Sequence, residues 1–161
     1  MGLFGSQYGG VLVRAQDVMS APAIAVRPDT TLKEIVQLLS ARQISSVPVV
    51  DDDARVLGII GWSELFPGTR FIKAPDVRAP VLFKRVVDVN NLTGSYKQAA
   101  ELTAKDMMSP LSVCGDLDDR VETLVKIMVE EELHMIPILR EDRLVGVVTR
   151  SDFIRYLAEE L

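Results

Sequence analysis

The segment Gln16-Asp17-Val18-Met19-Ser20 returns 89 residues later as Lys105-Asp106-Met107-Met108-Ser109, and Pro48 returns at the same spacing as Pro137. Gly58 meets Gly146 at 88, so one residue has dropped out of a turn between them. A spacing held this far, with a single slip, marks an internal duplication. A chain of 161 residues is one ordinary domain, or two small half-domains fused into one core.

Each copy carries the same local signals. A short apolar stretch, Ile24-Ala25-Val26, precedes Thr31-Leu32-Lys33-Glu34, a capping-box pattern that starts a helix. Leu32, Ile35, Val36 and Leu39 then recur at helical spacing. In the second copy Asp119 and Glu122 stand where the box is expected, and Val121, Leu124, Val125 and Met128 form the apolar face. Val47 to Val50, an acidic turn Asp51-Asp52-Asp53-Ala54, and Val56 to Ile60 predict a hairpin, repeated as Ile136–Leu139, Arg140–Arg143 and Leu144–Val148. Pro48 and Pro137 lack an N–H and belong at a strand start or edge. A closing helix begins at Ser63-Glu64 and again at Ser151-Asp152.

The unit is therefore β-α-β-β-α, and the fold class α/β (α+β). Four segments are expected: an N-terminal arm over 1–13, a first repeat over 14–66, an insert over 67–104 and a second repeat over 105–161. The insert is too long for a structureless loop. Prolines 67, 75 and 80 punctuate it, and Ser95 to Thr103, with Tyr96, Ala99, Ala100 and Leu102, predicts a short helix. A cap or an oligomer contact is its expected role.

Bulk composition narrows the function. A net charge of −5 argues against a nucleic-acid or anionic-membrane surface, which would need a basic patch. One cysteine, Cys114, and one histidine, His134, supply neither a disulfide framework nor a metal cluster. No apolar run is long enough to span a bilayer, and the start lacks a signal-peptide pattern, so a cytoplasmic location is expected. Met1-Gly2 with Ser6 fits the loose N-myristoylation pattern but is read as an ordinary chain start. Cys114, without a base partner, is expected as a small buried hydrophobe, and Asp51–Asp53 as a solvated turn.

The ordered set D-x-M-S, capped helix, apolar pair with proline, acidic turn, and Gly146-Val147-Val148-Thr149-Arg150-Ser151-Asp152, present twice, resembles the cystathionine-β-synthase (CBS) domain. Two such domains in tandem form a Bateman module. The resemblance implies two halves packed about a pseudo-twofold axis, dimerisation through the pairs, and clefts that take AMP, ADP or ATP. S-adenosylmethionine, NAD and cyclic dinucleotides are taken by some members.

The residues suit that chemistry. Asp152 at a strand-to-helix junction can accept hydrogen bonds from both ribose hydroxyls, while Thr149, Ser151 and the helix-start N–H groups suit phosphate, with Arg150 adding charge. The resemblance assigns the adenine slot to the opposite repeat, at Ile24, Ile44, Ser45, Ser46 and Pro48, with Ser20 beside it. His134 aligns with Ser45, and in a family member a histidine at the matching position faces the phosphates. Ser and Asp at a helix start are also ordinary caps. With Thr149 beside them, ligand contact is expected too.

The first repeat departs from the pattern: Gly61-Trp62-Ser63-Glu64 has Gly for Thr and Glu for Asp. One good cleft per chain is therefore expected, the other being served by Gly61 and Glu64 with Val113, Leu133 and Met135. Trp62 fills that second cleft or a dimer face. The expected function is a regulatory module that binds an adenine nucleotide, requires no cofactor, and signals to an unnamed protein. An enzyme is disfavoured because no phosphate loop, HExxH, GxSxG or cysteine pair is present. A protein-interaction module with empty clefts is the rival reading.

Overall fold

The computed structural model describes residues 12–72 and 74–161, with side chains except at 69–78. Met1, Gly2 and Ser6 lie outside the described residues, as does nearly all of the expected arm. The chain runs through α1 (Ala15–Val18), α2 (Leu32–Arg42), β1 (Val47–Val50), β2 (Val56–Ile60), α3 (Trp62–Leu65), β3 (Gly68–Ile72), β4 (Ala74–Leu82) and β5 (Arg85–Val86). It continues through a 3-10 turn at Val89–Asn91, α4 (Leu92–Gln98), α5 (Ala104–Met107), β6 (Ser109–Pro110), β7 (Gly115–Asp116), α6 (Val121–Glu130), β8 (Met135–Arg140), β9 (Arg143–Thr149) and α7 (Arg150–Glu160).

Both hairpins form where the paired apolar runs place them, β1 against β2 and β8 against β9. Asp51 holds the first turn by accepting the N–H groups of Asp53 and Arg55, each at 2.9 Å. The Thr31 box closes: Thr31 N–H donates to Glu34 Oε2 at 2.8 Å and Glu34 N–H to Thr31 Oγ1 at 3.3 Å. The second box does not. α6 starts one residue later, with Arg120 at the cap, and Asp119 instead accepts the Asp116 N–H at 2.7 Å. The left-handed residues that end these helices, Gln43 and Glu132, again lie 89 apart.

The repeats of the sequence are not the packed halves of the molecule. Ala15 and Val18 of α1 are buried with α6, β8 and β9, whereas Ala104 and Met107 of α5 are buried with α2, β1 and β2. Backbone bonds show the same exchange twice. Ala15 N–H donates to Asp119 O at 2.8 Å and Val121 N–H to Val13 O at 3.0 Å. At the same offset of 89, Ala104 N–H donates to Thr30 O at 2.8 Å and Leu32 N–H to Leu102 O at 2.7 Å. Each repeat lends its opening turn to the core of the other, so neither half is complete alone.

The exchange explains D-x-M-S. Asp17 and Asp106 cap their own short helices, accepting the N–H of Arg14 at 2.8 Å and of Thr103 at 3.1 Å. Met19 and Met108 lie over Gly146 and Gly58 of the opposite repeat, so closely that a Cβ there would meet sulfur at 2.6 and 2.9 Å. Ser20 bridges to Val147, and Ser109 pairs with Ile59.

The insert is more structured than expected. β3, β4 and β5 make a separate antiparallel sheet, turning at Phe83 and Lys84, both with positive φ. The predicted helix begins and ends earlier, as α4, and Ala99, Ala100 and Leu102 follow it in a turn. Phe83, Tyr96, Ala99 and Leu102 pack against the core that holds α2 and β1. Cys114 is exposed rather than buried, because it lies on the connecting segment just before β7, where the buried position goes to Gly115.

Candidate functional site

Where the two packed halves face each other they leave an open cleft of about 890 Å³. Ser20, Ile24, Ile44, Ser45 and Ser46 line it from the first repeat, and Thr149, Ser151 and Asp152 from the second. The sequence therefore brings eight expected residues to one place. The left-handed turn at Gln43 ends α2 and carries Ile44 to Ser46 back along the cleft wall.

Three expected residues lie elsewhere. Pro48 is fully buried in β1 and does not line the cleft. Arg150 donates from Nε to Leu133 O at 3.1 Å, and its N–H reaches His134 O at 3.4 Å. Leu133 and His134 are the repeat counterparts of Ile44 and Ser45, but unlike those two they do not line this cleft. Trp62 moves the other way: expected in the second cleft or at a dimer face, it lines this one. Met135 also lines this cleft, and the Ser46 hydroxyl contacts its sulfur at 3.6 Å.

Asp152 is the polar centre. It is 2% exposed and the one buried charged residue among those described. Thr149 donates to Oδ2 from its N–H at 2.8 Å and its hydroxyl at 2.9 Å, while Asp152 N–H returns a bond to Thr149 Oγ1 at 3.2 Å. This is a closed capping box at the start of α7. Oδ1 accepts the Ser20 hydroxyl at 2.7 Å and the Arg155 guanidinium at 2.6 Å. A carboxylate has about four acceptor positions. All four are taken, one of them by a side chain, Arg155, that is 57% exposed.

The mirror position keeps the same wiring with a longer acid. Gly61 N–H donates to Glu64 Oε2 at 2.8 Å and Ser109 Oγ to Oε1 at 2.6 Å. The extra methylene of Glu64 thus reaches the same two donors, but Gly61 offers no hydroxyl.

Sequence reasoning missed Arg155, Trp62, Phe66 and Tyr96 as residues of this cleft. Arg155 was legible in principle, since it lies three residues after Asp152, one turn along the same helix face. The aromatic residues were not, because their approach depends on how the insert folds. Tyr96 donates its hydroxyl to Leu65 O, and burial raises its pKa above the ordinary value. Among the described residues no three potential metal ligands converge, and no helix is long and apolar enough to cross a membrane.

This pair of strand-exchanged repeats about a shared cleft is the architecture of the CBS domain, whose family model matches residues 15–66 and 104–159. The chain belongs to that family. It is similar to an uncharacterized protein of Methanocaldococcus jannaschii, 24% identical over 157 residues covering 92% of this chain and 93% of the relative. It has the fold of CBSX2 in complex with AMP, with TM-score 0.67 and 18% identity over 91% of this chain and 97% of that one. The CBS domain pair of protein MJ0100, solved with 5′-methylthioadenosine and S-adenosyl-L-methionine, aligns at TM-score 0.67 and 17% identity, covering 93% and 99%. These two CBS-pair proteins of the same fold thus hold adenosine-containing ligands.

Proposed function

We propose that this protein is a regulatory sensor, not a catalyst, and that its cleft takes an adenine nucleotide, AMP in preference to ATP. One observation carries the reading: a single open cleft gathers an apolar slot from one repeat and a hydroxyl-rich, carboxylate-bearing helix start from the other. Adenine lies between Ile24 and the Ile44–Ser46 wall, and the ribose reaches Asp152. Because Oδ1 is already shared by Ser20 and Arg155, a ribose hydroxyl replaces the exposed Arg155. The freed guanidinium then turns to the phosphate beside Thr149 and Ser151. Arg155 is the one cation among the described lining residues, which matches a monophosphate better than a triphosphate.

Binding across the two halves shifts their packing, and a partner protein reads the shift, by no more than the ligand's differential affinity for the two arrangements. The protein works in the cytoplasm as a homodimer, with exposed Val129 and Ile154 on α6 and α7 available for pairing.

A rival reading has a specific observation in its favour: the fully satisfied Asp152 is already explained as a cap and a tie between repeats. In that case the cleft is empty and the module only binds protein. Calorimetry with adenosine, AMP and ATP separates the two. The sensor reading expects AMP to bind, and Arg155→Ala to weaken AMP while leaving adenosine as tight or tighter. If neither AMP nor adenosine binds, the interaction-module reading replaces it.

A further inference from the structure

We propose that Trp62 is the stacking surface for the adenine ring, an inference that rests on the nucleotide-sensor reading of the same cleft. The backbone brings the indole to the adenine slot. Gly61 caps α3 against the cleft wall, where an added Cβ would lie 3.1 Å from Ser46 Cβ and 3.6 Å from Ser45 O. The next residue is therefore set beside Ile44–Ser46, and Trp62 does line the cleft.

The helix then stops. Pro67 excludes the helical conformation at Phe66, which is extended at φ −110°, ψ 142°, so α3 has one turn where α7 has three. Trp62 and Phe66 consequently remain at the cleft edge, each 60% exposed, with ring centroids 6.2 Å apart and planes tilted by 43°. They shield one another only in part. Large aromatic faces left open beside an apolar slot are what a planar base covers with gain.

The pair is also held in place. Tyr96 of α4 donates its hydroxyl to Leu65 O at the end of α3, and Phe83 packs edge-on against Tyr96 at 6.0 Å. The insert thus fixes the short helix that carries Trp62, which gives that segment a role in the site. In the second repeat the matching positions are Arg150 and Ile154, so the mirror side has no such aromatic wall.

Trp62 is the single tryptophan of the chain, so its emission reports this one position. AMP, 5′-methylthioadenosine and ribose 5-phosphate are titrated against the full chain by fluorescence and by calorimetry, with Trp62→Ala and Trp62→Phe alongside. Stacking expects saturable quenching by the two adenine compounds with the calorimetric Kd, and none by ribose 5-phosphate. Trp62→Ala should lose about ten- to a hundredfold in affinity for both, and Trp62→Phe should keep most of it. Calorimetric binding of AMP that Trp62→Ala leaves unchanged overturns the stacking role and spares the sensor reading. Binding of neither adenine compound overturns both.

Discussion

Replacing Asp152 by alanine should destabilise the protein even before any ligand is considered. The carboxylate is 2% exposed and accepts four hydrogen bonds, two from Thr149, one from Ser20 and one from Arg155. Loss of the capping box costs about 1 kcal/mol. The remaining charge-assisted bonds, including the tie between repeats from Ser20, add roughly 2 kcal/mol. The Arg155 pair adds little, since the guanidinium is 57% exposed and screened by water. A total near 3 kcal/mol corresponds to a fall in Tm of about 6–12 °C for a domain of this size. Asp152→Asn, which keeps an acceptor, should fall about half as far. Urea and thermal unfolding of the two variants and of Ser20→Ala measure this directly. A ligand-free Asp152→Ala protein that melts within about 2 °C of the parent would refute the reasoning, and would leave the carboxylate free for a purely ligand-binding role.

Three further outcomes follow from the same contacts. Gly58→Ala should unfold more easily than Gly146→Ala, by roughly 1–3 kcal/mol in urea titrations, because its Cβ meets Ser109 O of the backbone at 2.5 Å. At Gly146 the nearest atom, at 2.6 Å, belongs to the flexible Met19 side chain, which can move, and the backbone oxygen there, Ser20 O, is further off at 3.0 Å. Donation from the Thr31 backbone and hydroxyl lowers the pKa of Glu34, and donation from the Thr103 hydroxyl and backbone lowers that of Asp106. Lowered folded values mean stability that is present above the ordinary carboxylate range and lost as pH falls through the folded pKa; Thr31→Ala should return Glu34 to its ordinary titration, read by carboxyl NMR. Tyr96→Phe, which removes the bond to Leu65 O, should broaden Trp62 emission by loosening the end of α3, and an unaltered spectrum would argue that the insert does not hold that helix.

What could be read in the sequence is what depends on neighbours along the chain. The repeat, both hairpins and the Thr31 box are local patterns, and they form as expected. The failures share a different cause. Arg150 was expected at the phosphate beside Thr149 and Ser151, and His134 by resemblance to a family member, but Arg150 turns its Nε to Leu133 O, its N–H meets His134 O, and neither lines the cleft. Asp119 has the spacing of a cap, yet the Asp116 N–H, made available by the turn before α6, takes its oxygen first. The sheet of the insert was hidden because β4 carries Pro75 and Pro80, and because its turn at Phe83-Lys84 uses positive φ without glycine or asparagine. The exchange of opening turns was invisible for a deeper reason: the same bonds would satisfy D-x-M-S within a repeat or across repeats, and only three-dimensional packing distinguishes them.

That exchange also limits how the module can respond. The chain crosses from one packed half to the other after Ser20, which is tied to Val147 and Asp152, and before Val26, whose N–H is bonded to Pro48 O at 3.0 Å. It crosses again after Pro110, paired with Gly58, and before Gly115, paired with Ile138. Relative movement of the halves must therefore be absorbed between 21 and 25 and between 111 and 114, since the residues on either side are tied to the strands of one half or the other. The first of these crossings is part of the cleft itself, where Pro22 and Ile24 line the wall. An occupant of the cleft thus touches both halves and one of their two connections, so its binding energy acts on the packing angle without passing through a separate relay. Substitutions at 111–114, remote from the cleft lining, are the place to alter the response without altering the contacts to the ligand.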